Sequence, residues 1–293
     1  MAGEPWKNYL SRLPENLFPL SNRTMSFTRV YAIFLRQLFL FKGNPTRLSG
    51  IFLSLIVNIL QWGFISEFLG SLGESTFSYI TVILGAIILW EFLSRTQQGM
   101  MRGFLEDIWT QNFINYFASP LEIREYLGGL VLTSIVISMA AFGIMIPIAG
   151  LAFGYNIFKI GIFLLPFMFI LFDFGVAMGI FVSALIFRLG PSGEWLGWPL
   201  PLVLSIFSGV YYPVSTLPEA LQVVARLMPP CYVFESIRSL LSTGTFSSGL
   251  VVNLLVGALL SLVYLFVVHT FFMAIYRHNV RSGAIARFNA EAL

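Results

Sequence analysis

Few side chains in this sequence are equipped for chemistry. Asp173 stands alone among Phe169-Ile170-Leu171-Phe172 and Phe174-Gly175. A carboxyl in such apolar company could bind a proton, touch a passing substrate, or hydrogen-bond a neighbouring helix. Glu106-Asp107 is a second acidic step, of the kind a solvated loop face carries, and too sparse for a Mg²⁺-diphosphate site. Asn58 and Gln61 lie three apart and share a helix face. The two histidines, His269 and His278, form no HExxH pair, so no metal centre is expected. Cys231 is the single cysteine, which rules out an intrachain disulfide and a CxxC motif. Lys7, Lys42 and Lys159 are the only lysines and none follows a glycine, so a phosphate-binding Gly-Lys-Ser/Thr loop is absent. Gly-x-Ser-x-Gly is absent too, and with it the nucleophile elbow of an α/β-hydrolase.

The elements holding these groups must suit a chain of 293 residues that is 57% hydrophobic and 11% charged, with a mean hydropathy of +0.82. A soluble domain is about 25% charged, and so few charges cannot cover its surface. The 30 Phe, 11 Tyr and 6 Trp also exclude disorder. An all-α polytopic membrane protein remains. A helix needs about 20 apolar residues to cross a hydrocarbon core about 30 Å thick. Six stretches qualify: 48–69, 77–94, 127–153, 157–187 with a bent entry at Pro166, 196–214, and 250–276.

Lysine and arginine give the orientation. Lys7, Arg12, Arg23, Arg29, Arg36, Lys42 and Arg47 precede the first span. Arg95, Arg102 and Arg124 fall between spans two and three, Arg188 between four and five, and Arg277, Arg281 and Arg287 in the tail. Only Lys159, Arg226 and Arg238 fall opposite. Both termini are therefore expected in the cytoplasm of a multi-pass protein of the cell (inner) membrane. The net charge of +3 is a topology signature and implies no nucleic-acid partner. The first 25 residues hold no continuous apolar core of a signal peptide. Three regions follow: a cytoplasmic arm over 1–45, a transmembrane domain over 46–276, and a tail over 277–293.

Within the arm, Phe27, Val30, Tyr31, Phe34, Leu35, Leu38 and Phe41 recur at helical spacing, with Arg29 and Arg36 on the opposite face. This predicts an amphipathic helix on the membrane surface rather than a solvated arm. The cytoplasmic connection 95–126 holds Glu106-Asp107, then the aromatic run from Trp109 through Asn112, Phe113, Tyr116 and Phe117 to Ser119-Pro120. Ser119 with Glu122 suggests a capping box, and Trp109, Phe113 and Phe117 an exposed apolar stripe for a protein partner or for lipid headgroups. The outer connection 214–249 predicts a helix from Thr216-Leu217-Pro218-Glu219, stopped by Pro229-Pro230, and a second over Tyr232–Leu241 carrying Glu235 and Arg238. Both are too short to span and too apolar for water, which fits a re-entrant pair dipping into the outer leaflet. Gly175/Gly179 and Gly150/Gly154 are two possible close-packing steps.

The run Phe207-Ser208-Gly209-Val210-Tyr211-Tyr212-Pro213, continuing through Leu217-Pro218 to Met228-Pro229-Pro230-Cys231-Tyr232 and Glu235-Ser236-Ile237-Arg238, resembles the membrane subunit of type 2 ABC exporters. That family shows Ser-Gly-x-x-Tyr/Phe-Pro, then Leu-Pro, then Asn/Asp-Pro-x-Tyr and Glu-x-x-Arg; Met228-Pro229-Pro230 departs from its Asn-Pro step. Ser119-Pro120-Leu121 followed by Glu125-Tyr126-Leu127 resembles the family's motif before its third helix.

The resemblance implies a permease that pairs with a second copy or a homologous permease, each docked to a separate ATPase subunit that holds ATP and Mg. No cofactor is then expected on this chain. It further implies a coupling helix over 112–119 (with Glu106, Asp107, Trp109 and Pro120 nearby), a path lined by Asn58, Gln61 and Asp173, and an outer gate of Tyr211, Tyr212, Pro213, Pro218, Pro229, Pro230, Glu235 and Arg238. An apolar lining suits an amphipathic or lipid-linked cargo: glycan, lipid or drug. Two other readings stay open on the residues alone. One is a lipid-carrier transferase centred on Asp173 or Glu106-Asp107; the other is a proton-coupled carrier using Asp173.

Overall fold

Helix follows helix along this chain, because long apolar runs in hydrocarbon must satisfy their own backbone groups. The computed structural model describes residues 25–43, 45–71, 79–243 and 248–282. The main helices are α1 (Phe27–Gly43), α2 (Pro45–Ser71), α3 (Tyr79–Trp109), α4 (Phe113–Ala118), α5 (Ile123–Phe153), α6 (Leu164–Leu189), α7 (Glu194–Gly197), α8 (Leu200–Phe207), α9 (Glu219–Arg226), α10 (Pro229–Thr243) and α11 (Ser248–Ser282). No strand occurs among the described residues. Four segments are long and apolar enough to cross a membrane: Leu53–Ser71, Ile123–Phe153, Ile157–Leu189 and Gly249–Ser282.

α6 is the centre. Its outer neighbours are α3 on one side and α11 on the other, while α3 also packs on α5 and α2. The α3–α6 contact is close because of two glycines. A methyl at Gly175 would lie 3.0 Å from the Leu93 carbonyl oxygen and the Thr96 Cβ, and one at Gly179 would lie 2.5 Å from the Met100 Cβ. The Gly175/Gly179 step is therefore a packing seam. Gly150 and Gly154 are not: Gly154 meets nothing within 4 Å and caps α5 in a left-handed turn.

Three expected elements differ. The second span does not stop near 94. α3 runs 31 residues, about 46 Å, so that its last four turns form the first half of the connection 95–126. The run 196–214 is not one spanning helix. α7 and α8 together cover 194–207, about 21 Å at 1.5 Å per residue, and the chain then turns through Gly209 at φ 70°. The entry to the fourth span is a 3-10 segment, Ile157–Phe163, broken at Gly161 (φ 66°), with Pro166 in the first turn of α6, where it costs no hydrogen bond.

Candidate functional site

The connection after α3 builds its site around two fully buried carboxylates, Asp107 and Glu125. Asp107 sits on the last turn of α3. It accepts the Tyr126 hydroxyl at 2.7 Å and the Tyr116 hydroxyl at 3.1 Å, and pairs with the Arg36 guanidinium at 2.5 Å. One residue thus joins α1, α3, α4 and α5. Glu125 accepts the backbone N–H of Ser26 at 2.7 Å and pairs with Arg29 at 3.3 Å. Arg29 also donates to the Pro120 carbonyl. Arg29 and Arg36 stand seven apart, two turns, so one face of α1 delivers both cations to the two acids. Val30, Ile33 and Gln37 are buried along this face, while Phe27, Tyr31 and Phe39 are exposed.

Burial lifts the Asp107 carboxyl above its ordinary range, against the pull of Arg36 and the two phenols. Burial, then the Asp107 charge, pushes the Tyr116 hydroxyl up, so it keeps the proton it donates. The Glu106-Asp107 step is accordingly no solvated face at its second residue. Burial also corrects the exposed stripe: Trp109 is 53% exposed, but Phe113 is 5% exposed, packed against Phe104, Tyr126 and Phe187. Asn112 precedes α4 without capping it by its side chain, and the Phe117 side chain lies outside the described residues. The capping box falls three residues later than expected. Glu122 accepts the N–H of Glu125, and the Glu125 carboxylate accepts the N–H of Glu122 at 3.0 Å.

Between α2 and α3 lies a buried polar cluster. Glu91 and Arg95 are 7% and 8% exposed. The Arg95 guanidinium meets the Glu91 carboxylate at 2.9 Å and the Ser54 hydroxyl at 3.3 Å, and the Asn58 amide donates to Glu91 at 2.5 Å. Gln61 on the next turn is exposed, and Trp62 stacks on Tyr211 at 4.5 Å. Asp173 is elsewhere. It lies near α11, where the Ser261 hydroxyl donates to the Ala258 carbonyl at 2.9 Å, and its Oδ2 is buried without a hydrogen-bond partner. Asn58 and Gln61 share a helix face, but Asp173 does not join them.

The turn at 208–218 is held by Glu235 and Arg238, one helical turn apart on α10. The Glu235 carboxylate accepts the Val214 N–H at 2.9 Å and the Arg238 guanidinium at 2.9 Å, and Arg238 donates to the Gly209 carbonyl at 2.9 Å. Tyr212 donates to the Ile206 carbonyl at 2.7 Å. Pro213 is exposed, and Pro218 is the N-cap residue of α9. Thr216 does not cap that helix: its hydroxyl donates to the Pro213 carbonyl at 2.7 Å. Pro229 and Pro230 are buried and open α10 rather than merely stopping α9, since a first-turn proline lacks only an N–H that would go unused.

Sequence reasoning missed Arg29, Arg36, Glu91, Arg95, Glu125 and Tyr126 as site residues. The seven-residue spacing of the two arginines was the available signal. Comparison with known families finds one match: the model described as ABC-2 type transporter covers residues 28–242. No individually curated protein matches the chain.

Proposed function

For a chain that belongs to the ABC-2 type transporter family, we propose the role of the permease subunit of an ATP-driven exporter, moving an amphipathic or lipid-linked cargo out of the cytoplasm or inner leaflet. The family is one of transport permease domains, and its membership implies an ATPase partner. The apolar helices fit a multi-pass membrane protein. In this reading six crossings are made, the fifth by the 194–207 helices completed by the turn and helices that follow, with both termini in the cytoplasm.

The observation that carries the proposal is the Asp107 hub. α4, the candidate coupling helix, cannot shift without moving α1 and the ends of α3 and α5, because Tyr116, Arg36 and Tyr126 share one buried carboxylate. A push on α4 from an ATPase is then passed to α3. The same helix carries Glu91 to Asn58 on α2, and Trp62 of α2 meets Tyr211 of the turn clasped by Glu235 and Arg238. A continuous set of contacts therefore links the drive end to the outer turn. In a dimer of two such chains, α2, largely exposed in the single chain, would face the path with Gln61.

Co-purification from membranes tests the reading. An ATPase subunit is expected to accompany the chain, and reconstitution of both is expected to give ATP-dependent cargo movement. A chain that transports alone, or one that follows a proton gradient without ATP, would overturn it.

A further inference from the structure

One short helix of the connection 214–249 is apolar on the side that the chain leaves uncovered. The inner side of α9 is well occupied: Ala225 is fully buried with Val214 and Cys231, and the neighbouring Gln222 amide donates to the Leu217 carbonyl at 2.8 Å. A surface helix so seated ordinarily turns polar residues outward. Here Ala220, Val223, Val224 and Leu227 recur at i, i+3, i+4 and i+7, and all four are exposed, Val223 at 62% and Leu227 at 58%.

Lipid covers exposed apolar residues where no charge accompanies them, and α8, on which α9 packs, presents Leu202, Val203 and Ile206 in that way. The stripe on α9 differs, because Glu219 and Arg226 are both exposed along one of its edges, seven residues or two turns apart. They are separated by about 10 Å along the axis, and neither has an ion-pair partner among the described residues. An acid at one end of an edge and a base at the other make that edge complementary to a copy of itself running the opposite way.

We propose that α9 pairs antiparallel with α9 of a second copy of this chain. The two stripes close on each other about Val223 and Val224, and each Glu219 meets the partner subunit's Arg226, giving two reciprocal ion pairs. Two copies that share one orientation in a membrane are related by a twofold axis along its normal, and that axis sets a helix lying flat antiparallel to its copy. It also keeps the charged edge of both helices on the same side, so acid faces base. The proposal rests on the permease reading, in which two chains flank one path, and it names where they touch.

The test cross-links the full chain in its membrane. Val223→Cys is treated with copper phenanthroline, which oxidises adjacent thiols to a disulfide; the native Cys231 is buried and stays out of the reaction. A covalent dimer is expected to form about tenfold faster, or more, than with Leu255→Cys on the exposed flank of α11, where copies meet only by collision. Added to Val223→Cys, Glu219→Arg or Arg226→Glu alone should slow the reaction about twofold to thirtyfold, the worth of two exposed ion pairs. Both exchanges together should restore it. If the two charges served only the dipole of their own helix, the double exchange would be the slowest of the three, so failure to recover overturns the pairing. A rate no faster than that of Leu255→Cys overturns it in favour of lipid cover, and spares the permease reading where an ATPase still co-purifies. Purification of the chain without any ATPase overturns the permease reading itself.

Discussion

The Arg36–Asp107 pair supports the sharpest prediction. Arg36 is 27% exposed at its side chain and Asp107 not at all, so the carboxylate bears most of the desolvation. Asp107→Leu strands a cation and removes the acceptor of two phenols. Breaking a buried pair costs about 3–5 kcal/mol, and the solvent reach of Arg36 sets the expectation at the lower end. Arg36→Met leaves a buried carboxylate with the Tyr116 and Tyr126 hydroxyls, and loses one charge-assisted bond of about 1.5–3 kcal/mol. The double variant strands no charge, so its loss should fall short of the sum by about 1–3 kcal/mol. Denaturant unfolding in mixed micelles measures all three. A double variant whose loss equals the sum to within about 0.5 kcal/mol would refute a direct pair. pH supplies a second arm. Because burial raises the native carboxyl above its unfolded value of about 3.9, the contribution of Asp107 to stability is largest below that value and declines as pH rises through the native one. Asp107→Asn should erase that slope; a wild-type advantage growing with pH would contradict the burial argument.

Three further outcomes are expected. Gly179→Ala should destabilise by about 1–3 kcal/mol through overpacking against Met100, whereas Gly143→Ala, with open space around it, should not; thermal unfolding of the two separates seam from surface. Glu235→Ala frees the Val214 N–H, and loss of a bond to a charged group worth about 1.5–3 kcal/mol should speed its amide exchange at least tenfold; unchanged exchange would dismiss the clasp. Asp173→Asn keeps the shape of the side chain and removes its charge, so transport should survive; its loss, with folding intact, would return Asp173 to a protonation role.

The apolar runs disclosed the long helices because a backbone in hydrocarbon must satisfy itself, whether its side chains face lipid or, as in α6, pack against neighbouring helices. α1 and α4 were legible too, one from its 3.6-residue period and the other from the aromatic run after Trp109. Polar burial was not legible. Asp107 and Glu106 look alike in sequence, and only the approach of Arg36 from a segment some 70 residues earlier distinguishes them. Glu91 resembles a residue reaching for the interface until Arg95, one turn on, and Asn58 on α2 are seen to satisfy it. The break after Phe207 depends on Arg238 taking the Gly209 carbonyl, a partner 29 residues away that no window on 196–214 contains. Asp173 stands out as the lone acid of its span, yet it lies apart from the Asn58–Glu91–Arg95 cluster with its Oδ2 buried and unpartnered.

The overhang of the last helix has its own consequence. α11 runs 35 residues, about 52 Å against a hydrocarbon core of about 30 Å. The Asn279 amide hooks the Phe187 carbonyl at 2.5 Å, fastening this surplus length to the foot of α6. A thicker or thinner bilayer that tilts α11 must therefore lean the central α6 with it, so a mismatch in lipid chain length is felt by the whole bundle and not by one helix.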